Sequence, residues 1–208
     1  DMYTINRNNV DRIDNADGID GNSVTGLRSN YIVEDRRNDK SHLGFNLNVN
    51  HELNSNVNLS GGLDMSRYKG FHFKVVDDLL GGDFYVDYDK WIERSELQDS
   101  SYMQNDLDIP NNIVKEGDRF GYDYTTNVND YSVFGQAEFV YGNFEYYLGG
   151  TLKYNEFWRT GNMKNGKFPD ESLGDSEKQE FFTYGLKGGL LYKITGRHMV
   201  SFNAMYMT

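Results

Sequence analysis

The chain has 208 residues, of which 15% are aromatic (16 Tyr and 13 Phe), with 22 Gly, 2 Pro and no Cys, so disorder fits poorly and a disulfide framework or thiolate metal site is ruled out. The net charge of -11 argues against nucleic acid as a partner. No apolar run approaches the roughly 20 residues of a membrane-spanning helix, whereas a spanning β-barrel needs apolar side chains only at alternate positions and carries aromatic girdles, so a negative mean hydropathy is compatible with it.

Residues 1–28 read as the end of a long outer connection. Within it, Asp14, Asp17 and Asp20 lie in a Gly- and Asn-rich stretch that resembles a calcium-binding turn, since closely spaced oxygen donors suit a hard cation. The EF-hand spacing and closing Glu are missing, and a polar glycine-rich loop explains the same residues without metal.

The clearest periodicity follows. Leu43, Phe45, Leu47 and Val49 alternate with Gly44, Asn46 and Asn48, and after Asn54-Ser55-Asn56 the pattern resumes at Val57, Leu59, Leu63 and Met65. Strict alternation puts one face of a strand in an apolar medium and the other in a polar one, and the short polar break predicts a tight hairpin. The first strand is expected to continue back to Tyr31.

Residues 74–118 form the longest connection and carry most of the acidity: 12 acidic residues against 4 basic ones between Asp77 and Arg119, as expected of an exposed segment. Asp77–Asp83 reads as a short helix ending at a glycine pair. Phe84–Arg94 is aromatic and acidic; Tyr85, Tyr88 and Trp91 either contact a ligand or pack against one another.

Two further hairpins follow. Val133, Ala137 and Phe139 lead through Gly142-Asn143 to Phe144, Tyr146, Leu148, Leu152 and Tyr154. After a connection over residues 159–178, Phe182 to Tyr192 lead through Thr195-Gly196-Arg197 to Val200, Phe202, Ala204 and Tyr206. Phe157-Trp158-Arg159 closes a strand at its outer end, where Arg159 either reaches a ligand and pairs with acidic groups or serves structure alone.

The residues thus predict an all-β fold: an antiparallel transmembrane β-barrel segment, about six strands in three hairpins with long outer loops. Leu43, Phe45, Leu47, Val49, Val57, Leu59, Leu63, Phe144, Tyr146, Leu148, Leu152, Val200 and Phe202 are the expected lipid-facing positions. Short turns alternating with long loops are how bacterial outer-membrane barrels are built. Six strands are fewer than the roughly 8 of the smallest such barrel, and open edges are not tolerated in lipid. The chain is therefore expected to be an excerpt, with plug and remaining strands outside it. His42, His51, His72 and His198 form no metal-binding spacing, and no nucleophile or phosphate-loop motif occurs, so no enzyme activity and no cofactor is expected.

Several runs resemble TonB-dependent outer-membrane receptors, most closely those with an N-terminal carboxypeptidase-regulatory-like domain. These are Asp78-Leu79-Leu80-Gly81-Gly82-Asp83-Phe84-Tyr85, Glu116 to Tyr124, Phe157 to Gly161 with Asn165 to Pro169, and Tyr184 to His198. The resemblance implies a plugged barrel of about 22 strands that imports a scarce nutrient with energy delivered through TonB. It also implies partners: the plug, the TonB complex, the lipid bilayer, an unidentified nutrient and a surface lipoprotein. A passive porin-like or structural barrel, and a soluble carbohydrate-binding β-sandwich, are the competing readings.

Overall fold

A computed structural model describes residues 1–95 and 100–208; residues 96–99, part of the long acidic connection, lie outside the described residues. The protein is all-β and antiparallel. Its strands are β1 (Val10–Asp14), β2 (Ser23–Leu27), β3 (Val33–Asn54), β4 (Val57–Asp78), β5 (Tyr85–Val86), β6 (Ile113–Val114), β7 (Arg119–Tyr141), β8 (Phe144–Gly161), β9 (Gly174–Asp175), β10 (Gln179–Thr195) and β11 (His198–Met207). Two short helices, α1 (Met2–Arg7) and α2 (Lys90–Glu93), precede β1 and follow β5.

The main sheet has the order β11-β10-β8-β7-β4-β3, with β9 paired to β8, while β1 pairs with β2 and β5 with β6 in two small ladders. The path is open: β3 and β11 are its edges. The three expected hairpins are present, each turning within two residues, at Ser55-Asn56, Gly142-Asn143 and Gly196-Arg197. Gly142 takes φ +59, a left-handed conformation that costs glycine little, which is why the turn can be this tight.

The strands are longer than the alternation alone suggests. β3 and β4 have 22 residues each and β7 has 23, well beyond the usual strand of about 5–6 residues. β4 runs on to Asp78, so the helix expected over Asp77–Asp83 does not form. Leu80 and Gly81, at φ +51 and +83, reverse the chain there instead, with the Asp78 carboxylate accepting from Leu80 N at 2.6 Å. The α-helical turn comes later, as α2. The connections are likewise more structured than expected: residues 1–28 hold α1, β1 and β2, and β8 extends through Gly161 into the stretch read as a loop.

By compactness the chain divides into two units, and the division falls inside β3, β4, β7 and β8. The first comprises Asp1–Ser41, Lys69–Asn127 and Trp158–Glu177; the second comprises His42–Tyr68, Val128–Phe157 and Lys178–Thr208.

The first unit has an ordinary hydrophobic interior. Ile13, Ala16, Phe84, Val86 and Tyr88 form one buried cluster, and Val76, Leu79, Tyr85, Val114 and Phe120 form another. Asn6 of α1 is fully buried and fully satisfied: its amide donates to Tyr31 O and Leu79 O, and its Oδ1 accepts from Asn30 N and Tyr31 N. One polar side chain thereby staples the first helix to the far end of β4.

The second unit is built differently. Leu190 faces Phe202 on β11 and Tyr146 on β8, Leu186 faces Tyr206 and Gly150, and Tyr192 faces Val200 and Phe144. Directly opposed residues share a face of a sheet, so one face is apolar, with Phe139 stacked on Tyr146 and Phe144 on Tyr192. The other face is polar. Lys193 pairs with Glu145, Tyr147 Oη donates to Asn203 Oδ1 at 3.1 Å, and Lys153 Nζ lies 3.4 Å from Asp130. On β3 and β4, Asn46 donates to Asp64 across the same polar face, which leaves Phe45, Leu47, Leu63 and Met65 on the apolar one.

Candidate functional site

The four side chains singled out as ligand-facing all lie in the first unit, and the structure does not bring them together. β5 and β6 pair through Tyr85 opposite Val114 and Val86 opposite Ile113, which pulls the aromatic stretch inward. Tyr85 packs edge-on against Phe120, its ring centroid 5.6 Å away. Tyr88 donates through its hydroxyl to Asn111 Oδ1 at 2.7 Å and carries the Arg28 guanidinium over its ring at 5.5 Å. Both tyrosines are buried, so of the two readings of this stretch, packing describes them. Trp91 differs: it is 87% exposed on α2.

α2 is held in place by charge. Asp89 caps it, accepting from Trp91 N and Ile92 N, and its other oxygen pairs with Lys167. Burial acts to raise the Asp89 carboxyl, but the Lys167 ammonium and the two backbone donors outweigh it and hold the pKa low. Lys90 reaches back over the Tyr85 ring at 4.7 Å and bonds Glu93 at 2.7 Å, and burial lowers its pKa. Arg28 bridges Glu93 and Asp11. Trp91 is thus an exposed indole on a helix held by hydrogen bonds and ion pairs. Tyr102 and Phe168 are also exposed, and the stretches that carry them are tied in by Asp89 N donating to Met103 O and Gly166 N to Gln104 O.

Arg159, at the outer end of β8, does not meet a carboxylate among the described residues. Its Nη2 donates to Glu171 O and Ser172 O at 2.9 and 3.1 Å, its backbone N donates to Ser176 Oγ, and its guanidinium lies 5.9 Å from the Tyr124 ring centroid. It braces the connection between β8 and β10. Tyr124 stacks on His72 at 4.8 Å, and Lys74 lies over Phe120 and Tyr122. This ladder of cations and rings was not read from the sequence, because it depends on β4 and β7 pairing beyond the alternating stretch.

The calcium reading of Asp14, Asp17 and Asp20 is not supported. Asp14 accepts from Ser23 Oγ and Arg12 Nε, which hold its pKa low, and Asp17 Oδ1 accepts from Ile113 N. The Asp14 and Asp17 carboxylates are turned to separate protein donors, and no cluster of three metal-binding side chains occurs among the described residues.

The expected lipid-facing residues lie on the apolar face of the second unit. Leu43, Phe45, Leu47, Val49, Leu59, Phe144, Tyr146, Leu148, Leu152, Val200 and Phe202 are exposed, and Val57 and Leu63 are half-buried. Every buried apolar side chain among the described residues belongs to the first unit. A hollow of about 920 Å³ lies on the sheet of the second unit among Leu59, Ala137, Leu148, Leu186 and Tyr206, and neither Trp91 nor Arg159 lines it. No helix among the described residues is long and apolar enough to cross a membrane, which leaves a crossing by strands open. Compared with known proteins, the chain matches no family model, and no curated protein matches it.

Proposed function

We propose that the chain is a stretch of a bacterial outer-membrane β-barrel, and that the whole protein is a TonB-dependent receptor-transporter importing a scarce nutrient. One observation carries the membrane part: the second unit has an uncovered apolar face and no apolar interior. Burying one large apolar side chain stabilises a fold by about 1.5–3 kcal/mol, and soluble monomers rarely leave contiguous apolar patches larger than a few hundred Å² in water. Placed in hydrocarbon, the same face is satisfied without a second protein layer. The polar face, with its Lys193–Glu145 pair and its Tyr147–Asn203 hydrogen bond, then lines the lumen. The edges β3 and β11 pair with further strands of the same barrel, as lipid requires.

Strand length supports this reading. A tilted strand crosses the bilayer in about 9–11 residues, and the 22 residues of β3 and β4 leave enough to stand well clear of it. The first unit, with its own core and its presented Trp91, is then the water-facing, ligand-meeting part. The transport half of the proposal rests on the resemblance of the runs from Asp78, Glu116, Phe157 and Tyr184 to TonB-dependent receptors. Plug, TonB complex and a surface lipoprotein are the partners it calls for.

The test is reconstitution of the full protein. It is expected to aggregate without detergent and to fold in micelles or vesicles, with its compact form resisting protease. A chain that stays monomeric in buffer alone sinks the membrane reading and favours the soluble sandwich. Uptake by vesicles or cells that survives loss of TonB points to a passive barrel.

A further inference from the structure

Asp87 directly follows β5 and is 1% exposed. Its Oδ1 accepts from Asn105 Nδ2 at 2.7 Å and from Gly121 N at 2.9 Å, and its backbone N donates to Asn112 O at 3.0 Å. One residue therefore ties together β5, the stretch between residues 100 and 112, and the start of β7. Its second oxygen, Oδ2, is buried with no hydrogen-bond partner. A buried carboxylate with half its acceptors empty is unfavourable while charged. A proton on Oδ2 removes the charge and leaves both Oδ1 bonds intact.

We propose that Asp87 is a proton-operated latch on the connection between β4 and β7: protonated, it clamps the Asn105 stretch and Gly121 to β5, and ionised, it lets them part. The inference does not depend on the membrane reading, since it lies wholly within the first unit.

The surroundings fit such a latch. Asp106, on the same connection, disfavours the charged form. Lys74 of β4 favours it, but that ammonium is already engaged by Glu34 at 2.9 Å. Tyr85 of β5 offers a phenol that burial keeps neutral, and β6 is Ile113–Val114, without charge. On β7, Arg119 and Asp123 are paired with each other at 2.6 Å. Burial is the largest influence and lifts the Asp87 pKa from 3.8 to about 6, against the pull of Asn105 and Gly121. A carboxyl raised in the folded state stabilises it fully below the unfolded value and loses that contribution as pH rises through the folded one. The latch is closed in acid and weakened at neutral pH. A shift from 3.8 to about 6 allows up to roughly a hundredfold change in its opening equilibrium.

Hydrogen exchange by NMR on the full protein in detergent micelles reads this directly, because the Gly121 amide is one of the clamped donors. Its protection factor, corrected for intrinsic exchange, is expected to fall by up to about a hundredfold as pH rises from about 4 to about 6, and to level off above that. Amides of the β1–β2 ladder serve as the reference. Asp87→Asn keeps both acceptor bonds without the charge and is expected to hold Gly121 protected at all pH values. Asn105→Ala removes a donor that favours the charged form and is expected to move upward the pH at which the fall levels off. A flat Gly121 profile in the natural protein overturns the proposal, as does an unchanged fall in Asp87→Asn. Should Asp87→Asn not fold, the levelling-off pH of Asn105→Ala decides, and one that fails to rise overturns the proposal.

Discussion

Arginine at position 148 separates an apolar face in lipid from the same face in water. Phe144 to Tyr154 is the apolar-faced stretch of β8. At roughly 3.3 Å per residue and a tilt near 45°, it covers about 25 Å along the membrane normal, the height of a barrel's apolar band. Leu148 lies near its middle and is 65% exposed. Across β10 it faces Gly188, and its own-face neighbours along the strand are Tyr146 and Gly150, so an arginine there finds no carboxylate to pair with. Leu148→Arg is therefore expected to cost about 2–4 kcal/mol, the midplane value for a lipid-facing cation. Ser201→Arg, on the polar face of β11 opposite Leu191, is expected to cost no more than about 0.5 kcal/mol. Urea titration of each variant folded in phospholipid vesicles, followed by tryptophan fluorescence, measures both. Equal unfolding midpoints for Leu148→Arg and the natural protein would refute the argument, because a water-facing Leu gives way to Arg at almost no cost.

The remaining expectations concern the first unit and the backbone. Phe84→Ala, at a side chain 2% exposed, should destabilise the first unit by about 3–5 kcal/mol, seen as lost protection in hydrogen exchange, while Trp91→Ala should leave stability within about 0.5 kcal/mol. Gly161→Ala places a β-carbon 1.7 Å from Ser172 O, a backbone atom, and should lower the midpoint of thermal unfolding, whereas Gly135→Ala meets nothing within 4 Å and should not. Calorimetric titration with millimolar calcium should give no heat and no shift in unfolding, since Asp14 and Asp17 already serve protein donors. A calcium-dependent rise in stability would show that the 14–22 loop rearranges around the ion.

How much of this was legible in the chain differs by region. Leu43 to Met65, Val133 to Tyr154 and Phe182 to Tyr206 announce strands, faces and turns by themselves, because the side-chain period of a strand is fixed at two and a two-residue turn needs only local residues such as Gly142-Asn143. The continuation of β3 back toward Tyr31 was expected, but alternation does not extend into the outer halves of β3, β4 and β7. There Glu34, His72, Lys74 and Phe120 mix charge with aromatic character, and what makes them strands is the ladder formed with each other. The aromatic connection was ambiguous for a related reason. Nothing near Tyr85, Tyr88 and Trp91 in the chain distinguishes them, and the two tyrosines are buried by Val114, Phe120, Ile13 and Ala16 arriving from elsewhere. Local periodicity thus determined the hairpins and which face of each is apolar. Only the tertiary structure decided which aromatics are buried, that Asp14 and Asp17 are spent on protein donors, and that Asp87 ends with an unpaired oxygen. Burial and hydrogen-bond satisfaction depend on residues brought together from distant parts of the chain, and no spacing along it encodes them.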